Sequence, residues 1–204
     1  MTTHNMTSAV KRQLGYTIDQ TILIVAVIAI LVTMIIGSVG WDLLTRAGGT
    51  KMQSHLVQFE NAAGSFFSQY GRWPHDVTGS GRDAMLALIR SDVSWTDSFD
   101  PGDDFRTYLP AYDPGAVTDV EHPFGGGSEN AHVTLETETV SGQEVIVFEL
   151  TNVPADEYRR AEEGIDGDPS GSYWENGRLR TDTENPEPGN DRVVTLRYFA
   201  NVTN

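Results

Sequence analysis

The run ILIVAVIAILVTMIIGSVGW, residues 22–41, decides how the rest of the chain is read. It holds no charge and no proline, and only Thr33, Gly37, Ser38 and Gly40 interrupt its apolar side chains. A helix needs ~20 such residues to span hydrocarbon, so the run predicts a helical segment that crosses a bilayer. Upstream, residues 1–15 are polar with Lys11 and Arg12 as their only charges, whereas acidic sequence dominates downstream. Because basic residues are retained on the cytoplasmic side, that asymmetry predicts an N-in, C-out orientation. A cleaved secretory signal has a shorter apolar core and ends in a small-residue site; this run is longer and continues into a helical pattern. On hydropathy alone, a single-pass signal anchor and an assembly helix both fit.

Composition narrows the function classes. The 204 residues carry 29 Asp and Glu against 14 Lys and Arg, a formal net charge of -15. Such a surface repels nucleic-acid phosphates and argues against a nucleic-acid partner. There is no cysteine, which removes disulfides, thiol nucleophiles and cysteine-ligated metals. One long apolar run in a chain of this length fits one membrane-anchored globular domain.

Beyond the run, Trp41, Leu44, Gly48, Met52, Leu56, Phe59, Ala63, Phe66 and Tyr70 recur at steps of three or four, one stripe of a continuing helix that faces a core. A helix over residues 16–70 would measure about 80 Å at ~1.5 Å per residue. Gly37, Gly40, Gly48 and Gly49 lower helix propensity there and predict a bend or a segment that melts on assembly. Tyr70-Gly71-Arg72-Trp73-Pro74 is a stop signal, with glycine at the cap and proline just beyond. A short helix is expected over residues 80–90, burying Met85, Leu86 and Ile89, followed by a loop rich in Asp, Pro and Gly over 97–115. Alternation predicts strands over 131–139 and 143–151, turning at Val140-Ser141-Gly142, and a third over 193–200. Between them, residues 154–163 predict a helix with Pro154 in its first turn, Asp156 and Glu157 following, and Gly164 at its end. The expected fold class is α+β, in which a long N-terminal helical spine, partly transmembrane, packs against a small antiparallel β-sheet.

Lys11-Arg12-Gln13-Leu14-Gly15, followed by Tyr16-Thr17-Ile18 and the apolar run, resembles the class III signal of type IV pilins and type II secretion pseudopilins. The aromatic, glycine and proline ending at residues 66–74 resembles the close of their first helix. The order of strand pair, helix and final strand after Pro123-Phe124-Gly125-Gly126 is similar, more loosely, to the C-terminal region of type IVb pilins. The resemblance implies a leader over 1–15, cleavage between Gly15 and Tyr16 by a prepilin peptidase, and N-methylation of Tyr16. It implies a transmembrane and filament-core helix over 16–41, the outer half of that helix over 42–73, and a globular head over 74–204. The family usually has glutamate at the fifth mature position, where this chain has Gln20, with Asp19 one position earlier. Asp19 and Gln20 are therefore the candidates for filament register. The carboxylate of Asp19 either pairs with the Tyr16 amine of a neighbour or is stabilised at a helix N-terminus. The implied partners are this chain itself, other pilin-like subunits and a membrane assembly platform. The motor ATPase must be separate, because no GxxxxGK[ST] is present and Gly125-Gly126-Gly127-Ser128 lacks the lysine. Localisation is the cytoplasmic (inner) membrane before assembly and a cell-surface or periplasmic filament afterwards.

Few other side chains point to chemistry. Asp166, Asp168 and Ser170 have the oxygen-donor spacing of a calcium-loop start, but position twelve is Gly177 rather than glutamate. A calcium site and a solvated acidic turn both remain open, and no other cofactor is expected. His4, His55, His75, His122 and His132 form no HExxH or triad pattern, and His75-Asp76 near Ser80 reads as a turn after the long helix. Arg46, Lys51, Arg72 and Arg82 read as juxtamembrane solvation or as ion pairs with Asp42 or Glu60. The expected function is a structural filament subunit and not an enzyme. The alternative is a single-pass anchored binding or adhesion domain that does not polymerise; an anchored enzyme is a third, with no visible site.

Overall fold

In the computed structural model, which describes residues 18–79, 81–96, 98–115, 119–125, 130–167, 176–184, 186 and 193–203, the longest element is α1, Ile18–Tyr70. Side chains at positions 19, 34–50 and 201–203 lie outside the description. The helix is continuous through Gly37, Gly40, Gly48 and Gly49, so these glycines do not interrupt it. It ends as expected at Gly71, whose φ of +65° suits glycine and whose N–H bonds the carbonyl of Phe67 at 2.7 Å.

The expected transmembrane spine is corrected. Among the described residues, no helix is long and apolar enough to cross a membrane. The architecture is α+β with a small antiparallel sheet of four strands.

Contacts divide the chain into two units, Met1–Leu44 and Thr45–Asn204. The described part of the first is helical from Ile18. In the second, the stripe predicted on α1 is the floor of the core: Met52, Leu56, Phe59, Ala63 and Phe66 are fully buried. Trp41, Leu44 and Gly48 of the same stripe lie outside the described side chains.

The sheet covers that floor. β1 (Val133–Val140) and β2 (Gln143–Pro154) form a hairpin, and β4 (Val193–Thr203) pairs with β2 on its other side. The short β3 (Leu179–Thr181) completes the order β1-β2-β4-β3, all antiparallel. Ser141 and Gly142 both have positive φ, as the two-residue turn of a twisted hairpin requires. Cross-strand register places Leu135, Phe148 and Tyr198 side by side, with Val133, Leu150 and Leu196 beside them. This face meets α1, where the rings of Phe59 and Phe148 lie 5.5 Å apart. The opposite face carries Arg197 between Glu138 (2.8 Å) and Glu149 (3.5 Å).

Several bounds differ from expectation: the helix expected over 154–163 runs Ala155–Ile165, with Pro154 at its N-cap and its C-cap at Asp166 rather than Gly164, and the last strand continues to Thr203. The helix over 80–90 shortens to α3 (Arg82–Leu86), because the carbonyl of Leu88 turns away to accept the amides of Tyr108 and Leu109. The β2 strand continues past residue 151 to Pro154 by taking a bulge at Asn152, φ +56°. Neither α2 (Pro74–Thr78) nor β3 was expected. The outer edge of β1 is closed by the chain itself. Gly81 exchanges both backbone bonds with Leu135, and the Val133 amide bonds the carbonyl of Val120.

Candidate assembly surface and the polar sites of the head

The first turns of α1 present apolar side chains to solvent in every direction. Ile22, Leu23, Ile24 and Val25 are all exposed, and four consecutive helical residues point about 100° apart, so together they cover a full turn. The pattern repeats through Val27, Ile28, Ile30, Leu31 and Val32, with Ile18 at 79% exposure and Ile30 at 66%. A helix apolar on all sides is stable when enclosed on all sides. Each large aliphatic side chain contributes ~1.5–3 kcal/mol when fully buried, so ten of them outweigh the ~4–15 kcal/mol cost of association.

Gly15 and Tyr16, the predicted cleavage and methylation positions, lie outside the described residues. Asp19 belongs to the first turn of α1, but its side chain lies outside the description. Gln20 is exposed on the same turn. The structure therefore does not bring the two register candidates into a described contact. Of the candidate calcium ligands, Asp168 and Ser170 also lie outside the described residues. Asp166 follows α4 (Ala155–Ile165) and acts as a turn brace. Its Oδ1 accepts the Arg178 amide at 2.9 Å and its Oδ2 the Leu179 amide at 2.8 Å. Among the described residues, no group of three or more His, Asp or Glu side chains is arranged to hold a metal ion.

The strongest polar cluster of the head was not foreseen. Glu60 of α1 accepts from Tyr198 Oη at 2.6 Å and from Arg178 at 2.7 Å, and Arg178 also donates to the Tyr198 oxygen at 2.5 Å. The guanidinium stands over the Tyr198 ring, 4.9 Å from its centre. Burial, and then the neighbouring Glu60 carboxylate, push the Tyr198 phenol above its ordinary range. Arg178 is a partner of Glu60 that the sequence reading did not foresee, and Arg82 approaches Asp83 and Asp119. No periodicity links positions 60, 178 and 198, so no sequence signal could have found the cluster.

His55, His75 and His122 sit in partly or fully buried surroundings. The His122 Nε2–H donates to the carbonyl of Thr151 at 2.7 Å and its Nδ1 accepts the Phe124 amide, which fixes it neutral. Burial, and more weakly His132, hold its pKa below the ordinary value against the Thr151 bond. His55 is bonded through Nδ1 to the Tyr112 hydroxyl, and burial and nearby Lys51 lower its pKa. His75 is half-buried, and neither ring nitrogen makes a hydrogen bond. Burial lowers its pKa, opposed by Asp76 at 3.4 Å and Glu144 at 3.9 Å. Asp76 is committed to α2, where its Oδ2 accepts the Trp73 amide at 3.0 Å. Ser80 lies outside the described residues. No family model, curated protein or solved structure matches this chain.

Proposed function

We propose that the chain is the structural subunit of a pilin-like filament, joined to its neighbours through the apolar first turns of α1. The observation that carries this reading is the helix surface of residues 22–32, apolar on every side and exposed in the single chain. Several like helices packed around one another would enclose it, whereas a single flat contact would leave most of it wet. The net charge of -15 makes the heads repel one another, so the contact that joins copies must come from an uncharged element. The signal-like stretch ending at Gly15 supports processing: cleavage before Tyr16 frees the helix at its N-terminus without removing the apolar surface. In this reading the prepilin peptidase, other pilin-like subunits and a separate motor ATPase are partners, and the head sets surface properties.

The test compares the native chain with Ile28→Lys in the native host. Sheared surface or envelope fractions are inspected by electron microscopy, and the subunit's N-terminus is read by mass spectrometry. The expected result is filaments built of a chain that starts at Tyr16, and none with Ile28→Lys although the head remains folded. A chain that retains residues 1–15 and never polymerises would replace this reading with that of a non-polymerising binding domain.

A further inference from the structure

Beside α1 in the second unit lies an open cavity of about 580 Å³ whose two walls differ in chemistry. One wall is α1 itself, which presents Lys51, His55 and Gln58. These positions are spaced four and three residues apart and so share one helix face. Lys51 carries a cation, Gln58 offers an amide, and His55 is bonded through Nδ1 to the Tyr112 hydroxyl. This wall donates. The other wall is the segment that carries Asp113, Asp119 and Glu121. Asp113 is oriented by the Gly115 amide at 3.0 Å and Asp119 by Arg82 at 3.6 Å. This wall accepts. Tyr112 and two prolines supply the apolar surface between them.

A volume of this size fits a small molecule and not a folded partner. A donor wall facing an acceptor wall selects a ligand with an anionic and a cationic end. Asp119 is offset by Arg82, yet Asp113 and Glu121 still outnumber Lys51, which favours a ligand with surplus positive charge. We infer that this cavity binds a basic α-amino acid, with its carboxylate toward Lys51, His55 and Gln58 and its cationic groups toward Asp113, Asp119 and Glu121. The site is independent of filament formation, since the residues that line it lie outside the apolar turns of α1.

Isothermal titration of the purified chain with L-arginine tests the inference, with agmatine, the same molecule without its carboxylate, as the second probe. The expected result is saturable binding of L-arginine tighter than ~1 mM. Lys51→Gln weakens L-arginine about tenfold and leaves agmatine nearly unchanged, whereas Glu121→Gln weakens both about tenfold. Both positions are exposed, so the variants keep the fold, which circular dichroism verifies. Absence of saturable binding, equal loss of both probes in Lys51→Gln, or no loss in Glu121→Gln would overturn the assignment.

Discussion

Glu60 and Tyr198 stand 138 residues apart in the chain and meet in a 2.6 Å hydrogen bond, phenol to carboxylate, between the long helix and the sheet. Tyr198→Phe removes this donor while Arg178 continues to pair with Glu60. A hydrogen bond to a charged group contributes about 1.5–3 kcal/mol. The head is expected to lose stability in that range on urea unfolding. Arg178→Met should also destabilise the head, since it removes a charge-assisted hydrogen bond to Glu60 and another to the Tyr198 oxygen.

Mild acid should loosen the fold through its histidines. His55, His75 and His122 all have folded pKa values below the unfolded value of about 6.5, so the folded state prefers them neutral. Their contribution is complete above the unfolded value and is lost as pH falls below it toward the folded values. The expected outcome is a falling melting temperature from pH 7 to pH 5. His122→Gln should flatten part of that fall, and proton resonances of the three rings should titrate below the free-histidine range.

Gly125 is packed too closely for any side chain. A Cβ placed there would lie 2.1 Å from the Cβ of Ala131, a backbone-anchored atom that cannot swing aside. Gly125→Ala is therefore expected to cost about 1–3 kcal/mol through overpacking, measured by chemical denaturation. The same change at Gly142 meets no atom within 4 Å; its cost would come from the positive φ of 85° alone.

Asp166 braces the entry to β3 with both carboxylate oxygens. Asp166→Ala leaves two amides without their acceptor and should destabilise the head by about 1–3 kcal/mol. Amide exchange should quicken first at Arg178 and Leu179, because those N–H groups lose the protection directly.

Local patterns were legible and distant pairings were not. The stop at Gly71, the hairpin turning at Ser141-Gly142 and the α4 helix each rest on chemistry within a few residues of themselves: a left-handed glycine, two positive φ angles, and a proline at the N-cap followed by Asp156 and Glu157. The buried stripe from Met52 to Phe66 was readable because helical periodicity is a local property as well. Hydropathy counting took residues 22–41 as a bilayer span, and the described part of the helix falls short of one. α2 was hidden because only five residues form it, too few to show a period, and β3 because three residues show none. The cluster of Glu60, Arg178 and Tyr198 and the two-walled cavity join segments far apart in the chain. The loop over residues 97–115 looked like mere connection, yet it delivers Tyr112 and Asp113 to the α1 face that carries His55.

The closure of the β1 edge by Gly81 and Val120 bears on how crowded copies behave. A bare strand edge is a template on which another chain can add a strand, the route to fibrils of an unintended kind. Here that template is occupied from within at Val133 and Leu135, and the opposite edge of the sheet is β3, only three residues long. In the proposed filament, heads brought to high local density would find the start of β1 already occupied, so order between copies can be left to the helices while the sheets stay strangers to one another.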